Sequence, residues 1–412
     1  GLAGWPRSPS VYKVDLDTAG QDRWNSTVEA VLATSGVSPF ADYYTAVLES
    51  LRSQYPSVLD FYETHLDDFK AVWHERYHDS LLELHALSDL LQQHAASQEE
   101  RQACSRDKLF LAMMHMQIGN IGTMQECTSV VLRQSSGDIL HFRNWDFLPL
   151  VDVLGELSVD IDFTFSSRRQ KGFRCLLAMT HIHKWTTCMR DGEFSMSLNA
   201  RPAGIGHERG RSSDKELELL RTGMLPRVEV LKRVMLSSTY EHALVAASTA
   251  PALTSMYVIL AAPTAALRPS GAGAVVTLRG NATSSDVMPL PPLGQGWFIV
   301  QTNVDHSEPM GQDHYSSHRR EHMKALLVAL GPDKGASEYY ATLRNSSVYP
   351  DGNTGPDDGR VFRDSTIASV FMRPGGGGAS PELCPGGKNS DGSWRADVWR
   401  PMPSQLGNAL MV

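Results

Sequence analysis

The chain reads as an α+β protein, and three observations predict it. The first third carries apolar residues at helical spacing. At Cys127 the pattern changes to short strand-like runs separated by turns. Helical segments then recur between those runs instead of alternating with them one for one, which favours antiparallel sheets over a parallel α/β layout. With 412 residues, 42% hydrophobic and 20% charged, the chain has the composition of a soluble globular protein with a sizeable core.

Taken in order, Leu59 to Leu91 places Tyr62, Leu66, Phe69, Trp73 and Tyr77, then Leu81, Leu84, Leu87 and Leu91, on one helical face. Lys108–Ile118 is a second helix candidate, rich in Met. CTSVVLRQ is strand-like, SSGD is a turn, and ILHFRNWDF is strand-like again, which is a hairpin signature. Further strands are expected at Leu157–Phe165, Phe173–Met179, Glu193–Asn199, Tyr257–Ala262, Gly273–Arg279 and Trp297–Asn303. Helices are expected near Asp214–Leu220, Pro226–Leu236 and His318–Leu330, and Gly/Pro-rich loops at Tyr349–Gly359 and Pro374–Gly392. No linker marks Cys127, so residues 1–126 are expected to pack onto 127–412, not to stand as an independent domain.

The net charge of −8, without a large basic patch, argues against nucleic acid as a partner. No apolar run reaches the ~18 residues of a spanning helix. Gly1 in place of an initiator Met, together with acceptor sequons at Asn25, Asn281 and Asn345, points to a mature secretory chain and a lysosomal or secreted location. The five cysteines are Cys104, Cys127, Cys175, Cys188 and Cys384. If Cys127 is the odd thiol, the others allow three disulfide pairings, and spacing does not choose among them.

The hairpin carries the chemistry. With its turn centred near Ser136, Cys127 falls opposite Trp145 or Asp146, and Arg143 opposite Ser129 or Val130. Arg143 and Asp146 are three apart and so belong to opposite faces of a regular strand. Both reach the sulfur only if the strand bends or ends there. A cation near a thiol favours the nucleophilic thiolate. A cysteine at a chain's own N-terminus also has an α-amine, pKa about 8, able to act as its base. The plain alternative is a buried strand thiol beside a structural ion pair.

CTSVV…HFRNWDF resembles the start of the β-subunit in the acid ceramidase and N-acylethanolamine acid amidase family, lysosomal N-terminal nucleophile hydrolases of the choloylglycine-hydrolase branch. VYKVDLD…RW (Val11–Trp24), FSMSLNAR (Phe194–Arg201), YVILAAP…GAVVTLRG (Tyr257–Gly280) and WFIVQTNVD (Trp297–Asp305) are similar to further segments of that family, in the same order. The resemblance implies an αββα sandwich of two antiparallel sheets between helical layers. It implies self-cleavage between Glu126 and Cys127 into a mostly helical α-subunit, 1–126, and a catalytic β-subunit, 127–412. It implies Cys127 as nucleophile, Arg143 and Asp146 as residues that orient it, and Asn303 as an oxyanion donor through its side-chain N–H. Asn199 matches a second position near that hole, and Arg319 a late site arginine, with Arg320 competing. The implied activity is hydrolysis of the amide bond of an N-acyl lipid, ceramide first and N-acylethanolamine beside it. No cofactor is implied, and a saposin-like or membrane-surface contact is conceivable.

Departures from the family pattern are Ala200 in place of a Glu, Ala261-Ala262 in place of Gly-Gly, and Phe142 in place of a Gly. Cys104 is the single cysteine ahead of the expected cut, so a covalent tether between the subunits must use it.

Three other constellations compete. His74-Glu75-Arg76-Tyr77-His78 is an H-E-x-x-H, the pattern of a zinc metallopeptidase, but Leu81 and Leu84 stand where the extended motif needs Gly and His. Cys175…His181-x-His183…Cys188 has zinc-ligand types without finger spacing, and a disulfide is the other reading. His314, His318 and His322 form a ladder expected on a solvated helix face. A catalytically inactive lipid-binding relative is a further alternative, opposed by the joint presence of Cys127, Arg143, Asp146 and Asn303.

Overall fold

A computed structural model describes residues 10–117, 125–147, 151–201, 213–263, 272–280, 285–306, 314–335, 338–339, 366–375 and 379–383. After β1 (Val11–Asp15) come seven helices: α1 (Asn25–Ser35), α2 (Ser38–Gln54), α3 (Pro56–Thr64), α4 (Leu66–Arg76), α5 (His78–His94), α6 (Gln98–Ala103) and α7 (Arg106–Gln117). The apolar stripe from Leu59 to Leu91 is thus three helices instead of one, interrupted at His65 and Tyr77, whose backbones leave helical geometry. Tyr62, Trp73, Leu87 and Leu91 are buried all the same, because each piece turns its apolar face to the same core.

The expected hairpin is present as β2 (Gln125–Arg133) and β3 (Ile139–Phe147). Gly137, at φ 88, supplies the left-handed turn residue. The rest of the chain runs α8 (Val151–Glu156), β4 (Ser158–Thr164), β5 (Phe173–Ala178), a 3-10 turn (Met179–His181), β6 (Thr187–Arg190), β7 (Phe194–Ala200), α9 (Ser213–Arg221), α10 (Arg227–Met235), α11 (Tyr240–Ser248), β8 (Met256–Ala261), β9 (Gly273–Leu278), β10 (Asp286–Pro289), β11 (Phe298–Gln301), α12 (His314–Leu330), β12 (Thr366–Met372) and β13 (Ala379–Leu383). Strands β6, β10, β12 and β13 lie outside the expected runs.

Two sheets form. One has eight strands in the order β1-β4-β5-β6-β7-β8-β9-β10, the other five in the order β11-β2-β3-β12-β13. The sheets are antiparallel with one correction: β1 joins β4 in parallel, so the N-terminal segment contributes a strand to the larger sheet.

Side-chain alternation decides the layers. Val130, Leu132, Leu140 and Phe142 pack with Met323 and Leu327 of α12 on one face of the hairpin. Val131 and Ile139, on its other face, meet Tyr257, Ile259 and Val275 of the larger sheet. That sheet's far face, with Val258, Leu260 and Val276, shares a core with Leu231 and Val234 of α10, Ala243 and Ala247 of α11, and the N-terminal helices. The result is helix, sheet, sheet, helix, with Cys127 between the sheets.

Candidate active site

The hairpin register is Cys127↔Trp145 and Ser129↔Arg143, within the expected alternatives. Cys127, Ser129, Arg143 and Trp145 therefore share the face toward β7 of the larger sheet. On β7, Phe194, Met196 and Leu198 turn to the helical core, while Ser195, Ser197 and Asn199 face the hairpin and bond to it.

Cys127 is 2% exposed. Arg143 Nη2 donates to its sulfur at 3.3 Å, and Nη1 donates to the Thr186 carbonyl at 2.7 Å and to the Thr187 hydroxyl. The buried Nε–H of Arg143 has no hydrogen-bond partner among the described residues. The Cys127 backbone N–H donates to Asn303 Oδ1 at 2.8 Å, and Arg319 Nη2 donates to the same oxygen at 2.8 Å. Asn303 Nδ2 donates to the Ala200 carbonyl at 2.7 Å. Two donors on one end and a carbonyl on the other fix the orientation of this amide. The side-chain oxygen of Asn303 thus faces the Cys127 N–H, and its Nδ2 faces the Ala200 carbonyl.

Asn199 Nδ2 donates to the Gln301 carbonyl at 2.8 Å and reaches those of Cys127 and Thr302 at 3.4 Å. Arg319 Nη2 also reaches the Cys127 carbonyl at 3.4 Å. Arg320 instead donates to the Asp305 carbonyl at 2.8 Å, so of the two competing arginines it is Arg319 that lies beside Cys127.

Asp146 is fully buried but sits opposite Glu126, on the other strand face from Arg143. The β2–β3 ladder continues to Gln125↔Phe147, so the strand does not end at Cys127 as assumed. The register shift falls instead between β12 and β3, at Thr366/Ala368 beside Asp146.

Several site residues escaped the sequence reading. Ser129 donates to Asn199 Oδ1 at 2.8 Å and meets Ser197 at 2.9 Å, while His141 bridges Ser195 and Ser197 at 2.9 and 2.8 Å. Burial, then the Arg143 charge, pulls the His141 pKa down to about 3, so its imidazole is neutral. Lys184 is buried, and its ammonium is held well below the usual lysine range by burial and then by Arg227, with Cys127 acting in the opposite sense and Arg143 in the same one. Arg201 forms a two-pronged ion pair with Asp305 at 2.9 and 2.6 Å, joined by the Tyr257 hydroxyl at 2.6 Å. Alternation along β7 signals Ser197 and Asn199 as one set. Nothing local signals Lys184, which lies 57 positions from Cys127 on a turn between strands.

The competing constellations come apart. Cys175 and Cys188, directly paired across β5 and β6, form a disulfide, which overturns a zinc site there. His181 contacts the Tyr43 hydroxyl, and His183 pairs with Glu83. His74 and His78 are exposed and stacked, Nδ1 to Nδ1 3.1 Å, but straddle the helix break at Tyr77. No group of three or more metal-ligating side chains occurs among the described residues. His322 is buried and His318 half-buried, so that part of the ladder is not a solvated face, while the His314 side chain lies outside the described residues. Cys104 is a buried free thiol, pushed up to about 12 by burial and then by Glu100. Asn25 opens α1, half-buried, while Asn281, Asn345, Cys384 and the loops at 202–212 and 349–359 lie outside the described residues. No described helix is long and apolar enough to cross a membrane.

No protein-family model matches the chain. It is 31% identical over 186 residues to the N-acylethanolamine-hydrolyzing acid amidase of Cavia porcellus, 45% of this chain and 48% of that protein. It is 25% identical over 380 residues to the one of Caenorhabditis elegans, 87% of this chain and 94% of that protein. The acid ceramidase of Balaenoptera acutorostrata scammoni is 29% identical over 195 residues, 43% of this chain and 46% of that protein. The chain spans about half the length of the first curated relatives it matches. Among solved structures, the C. elegans amidase ortholog aligns with a TM-score of 0.45 at 26% identity, covering 60% of this chain and 93% of that one. In sequence, the chain is similar to the N-acylethanolamine-hydrolyzing acid amidases and acid ceramidases, the family to which its motifs point.

Proposed function

We propose that the chain is a cysteine amidase of the N-terminal nucleophile type, cut between Glu126 and Cys127 and acting on the amide bond of an N-acyl lipid. The observation that carries this reading is the setting of Cys127: a buried thiol with a guanidinium on its sulfur and a side-chain amide oxygen on its own N–H. A structural strand thiol needs neither.

In the uncut chain, the thiol attacks the Glu126 carbonyl and water resolves the thioester, leaving Cys127 with a free α-amine. That amine inherits the Asn303 oxygen as its hydrogen-bond acceptor. Arg319, bonded to the same oxygen, disfavours the ammonium form and so keeps the amine available as a base. The amine takes the thiol proton, the sulfur attacks the substrate carbonyl, and the proton passes to the leaving amine. Water then hydrolyses the acyl-thioester. The developing oxyanion is assigned to Arg143, whose Nε–H is unpartnered among the described residues and lies on the same edge of the guanidinium as Nη2. Asp146 loses its cross-strand neighbour Glu126 once the chain is cut, and its carboxylate is then adjacent in register to the new terminus.

The substrate to test first is an N-acylethanolamine, with ceramide second, because the likeness runs along more of the chain for the C. elegans amidase than for the acid ceramidase. A lysosomal setting and N-glycosylation belong to the same proposal. The test is N-terminal sequencing of protein held at mildly acidic pH, followed by paired assays on N-palmitoylethanolamine and ceramide with Cys127→Ala as control. A fragment beginning Cys-Thr-Ser-Val-Val, and hydrolysis lost in the variant, are expected. An intact chain with no Cys127-dependent hydrolysis of either lipid overturns the reading.

A further inference from the structure

We propose that Glu83, a residue of the N-terminal helical segment, is a positioning residue for Cys127, acting through His183 and the short segment that ends at Thr187. The proposal rests on the reading of Cys127 as nucleophile.

Glu83 projects from α5 and is 2% exposed. Its carboxylate gathers three cationic or proton-bearing groups from separate parts of the chain. These are Arg23 ahead of α1, Lys232 of α10 at 3.6 Å, and His183, whose buried Nε2 lies 2.9 Å from the carboxylate in close contact without hydrogen-bond alignment. Burial pushes the Glu83 pKa up, but Lys232, His183 and Arg23 outweigh it and hold the carboxyl below the usual range. A buried carboxylate stripped of partners costs several kcal/mol, so the group holds its members tightly.

His183 is the first residue of a tightly wound segment. Lys184 N–H donates to the His181 carbonyl at 2.7 Å, Trp185 N–H to that of His183 at 3.2 Å, and Thr186 N–H to that of Lys184 at 2.8 Å. Three consecutive local bonds leave the segment little freedom, so a displacement of His183 carries to its far end. There the Thr186 carbonyl and the Thr187 hydroxyl grip Nη1 of Arg143, whose Nη2 lies 3.3 Å from the Cys127 sulfur. The route from Glu83 to the sulfur therefore runs through close contacts at each step: carboxylate, imidazole, three-residue turn, guanidinium, thiol. It also crosses the expected cleavage site. Glu83 precedes Glu126 and His183 follows Cys127, so the N-terminal piece would have a working part in the enzyme after the cut.

The test measures iodoacetamide alkylation of Cys127 in the full-length protein, mapped by mass spectrometry, with the thermal midpoint and with kcat and KM on N-palmitoylethanolamine. His183→Ala removes the link to the segment while leaving Glu83 with Arg23 and Lys232. It should slow alkylation and lower kcat by roughly ten- to a hundredfold, the scale of a small misplacement of reacting groups, with KM little changed. His183→Gln, which can still reach Glu83, should recover most of the loss. Arg23→Met removes a cation from the same carboxylate, and the contacts of Arg23 are with Glu83, Asp79, Leu16 and Thr18, not with the segment. It should lower the thermal midpoint and leave the alkylation rate of the folded protein near wild type. A wild-type alkylation rate in His183→Ala overturns the relay, as does an equal slowing in Arg23→Met. If Cys127 of the wild type is itself inert and hydrolysis is absent, the amidase reading falls and the relay falls with it.

Discussion

Between the two sheets, the same hairpin runs from a dry end to a polar one. At the dry end Val131 and Ile139 meet Tyr257, Ile259 and Val275, and Gly273 lets the sheets approach so closely that an added methyl would lie 2.7 Å from Val131. At the polar end, on the same face, Ser129 and His141 meet Ser195, Ser197 and Asn199, Asn199 reaches the Cys127 carbonyl, and Arg143 meets Thr186 and Thr187. The strand face is the same, and the two ends adjoin where Val131 lies across from His141 and Ile259 across from Ser197. The dry end sets the spacing by packing, which tolerates some change of shape. The polar end has little tolerance, because each buried group left without a partner costs about 1–3 kcal/mol.

Substitutions should separate the two ends. The largest expected effect is at Cys127: Cys127→Ala should abolish chain cleavage and amide hydrolysis while leaving the circular dichroism spectrum unchanged. Residual lipid hydrolysis by purified variant would move the chemistry elsewhere. Next is Arg143→Met, expected to lower kcat by about 10²–10³, the usual loss for a removed oxyanion donor, with a smaller change in KM. An effect confined to KM would make Arg143 a substrate anchor instead. At the dry end, Ile259→Ala should cost about 2–5 kcal/mol of unfolding free energy in urea titrations, with kcat of the folded fraction preserved. A selective loss of kcat would show that the spacing, and not merely the stability, is set there.

The smallest effect concerns acid. The His141 pKa is about 3 in the fold, against about 6.5 for an ordinary histidine. Between those values the unfolded chain binds a proton that the folded chain refuses, so this residue subtracts stability as pH falls through that window. His141→Gln, which retains an amide for Ser195 or Ser197, should flatten that part of the stability–pH curve. Urea midpoints measured from pH 7 to 3.5 that fall as steeply as in the wild type would rule this account out.

The hairpin was legible because its determinants are local. Alternation, a Ser-Ser-Gly-Asp turn and strand length place Trp145 or Asp146 opposite Cys127, and the observed pairing is with Trp145. The helical stripe from Leu59 to Leu91 was legible as burial but not as three helices, since the breaks at His65 and Tyr77 involve residues with no strong breaker character. Strand β12 was missed because its role is set by β3, not by its own sequence pattern. Asn303 was named by motif, but a side-chain amide has both donors and an acceptor, and which of them faces the Cys127 N–H depends on Ala200 and Arg319, neither near it in sequence.

By itself, then, the sequence determined the α+β class, the hairpin register to within one residue, Cys127, Arg143, Asn199 and Asn303 as candidates with Arg319 and Arg320 left open, and the family likeness. All of these follow from short-range periodicity or from motifs read in order. Tertiary structure alone decided which arginine meets Cys127, that Cys175 and Cys188 are bonded, that Glu83 lies against His183, and that Lys184 is buried near Cys127 and Arg143. The physical reason is that these depend on the meeting of two sheets and a helical layer. Hydrogen bonds and charges are then matched between residues tens to hundreds of positions apart, and no local pattern encodes such a match.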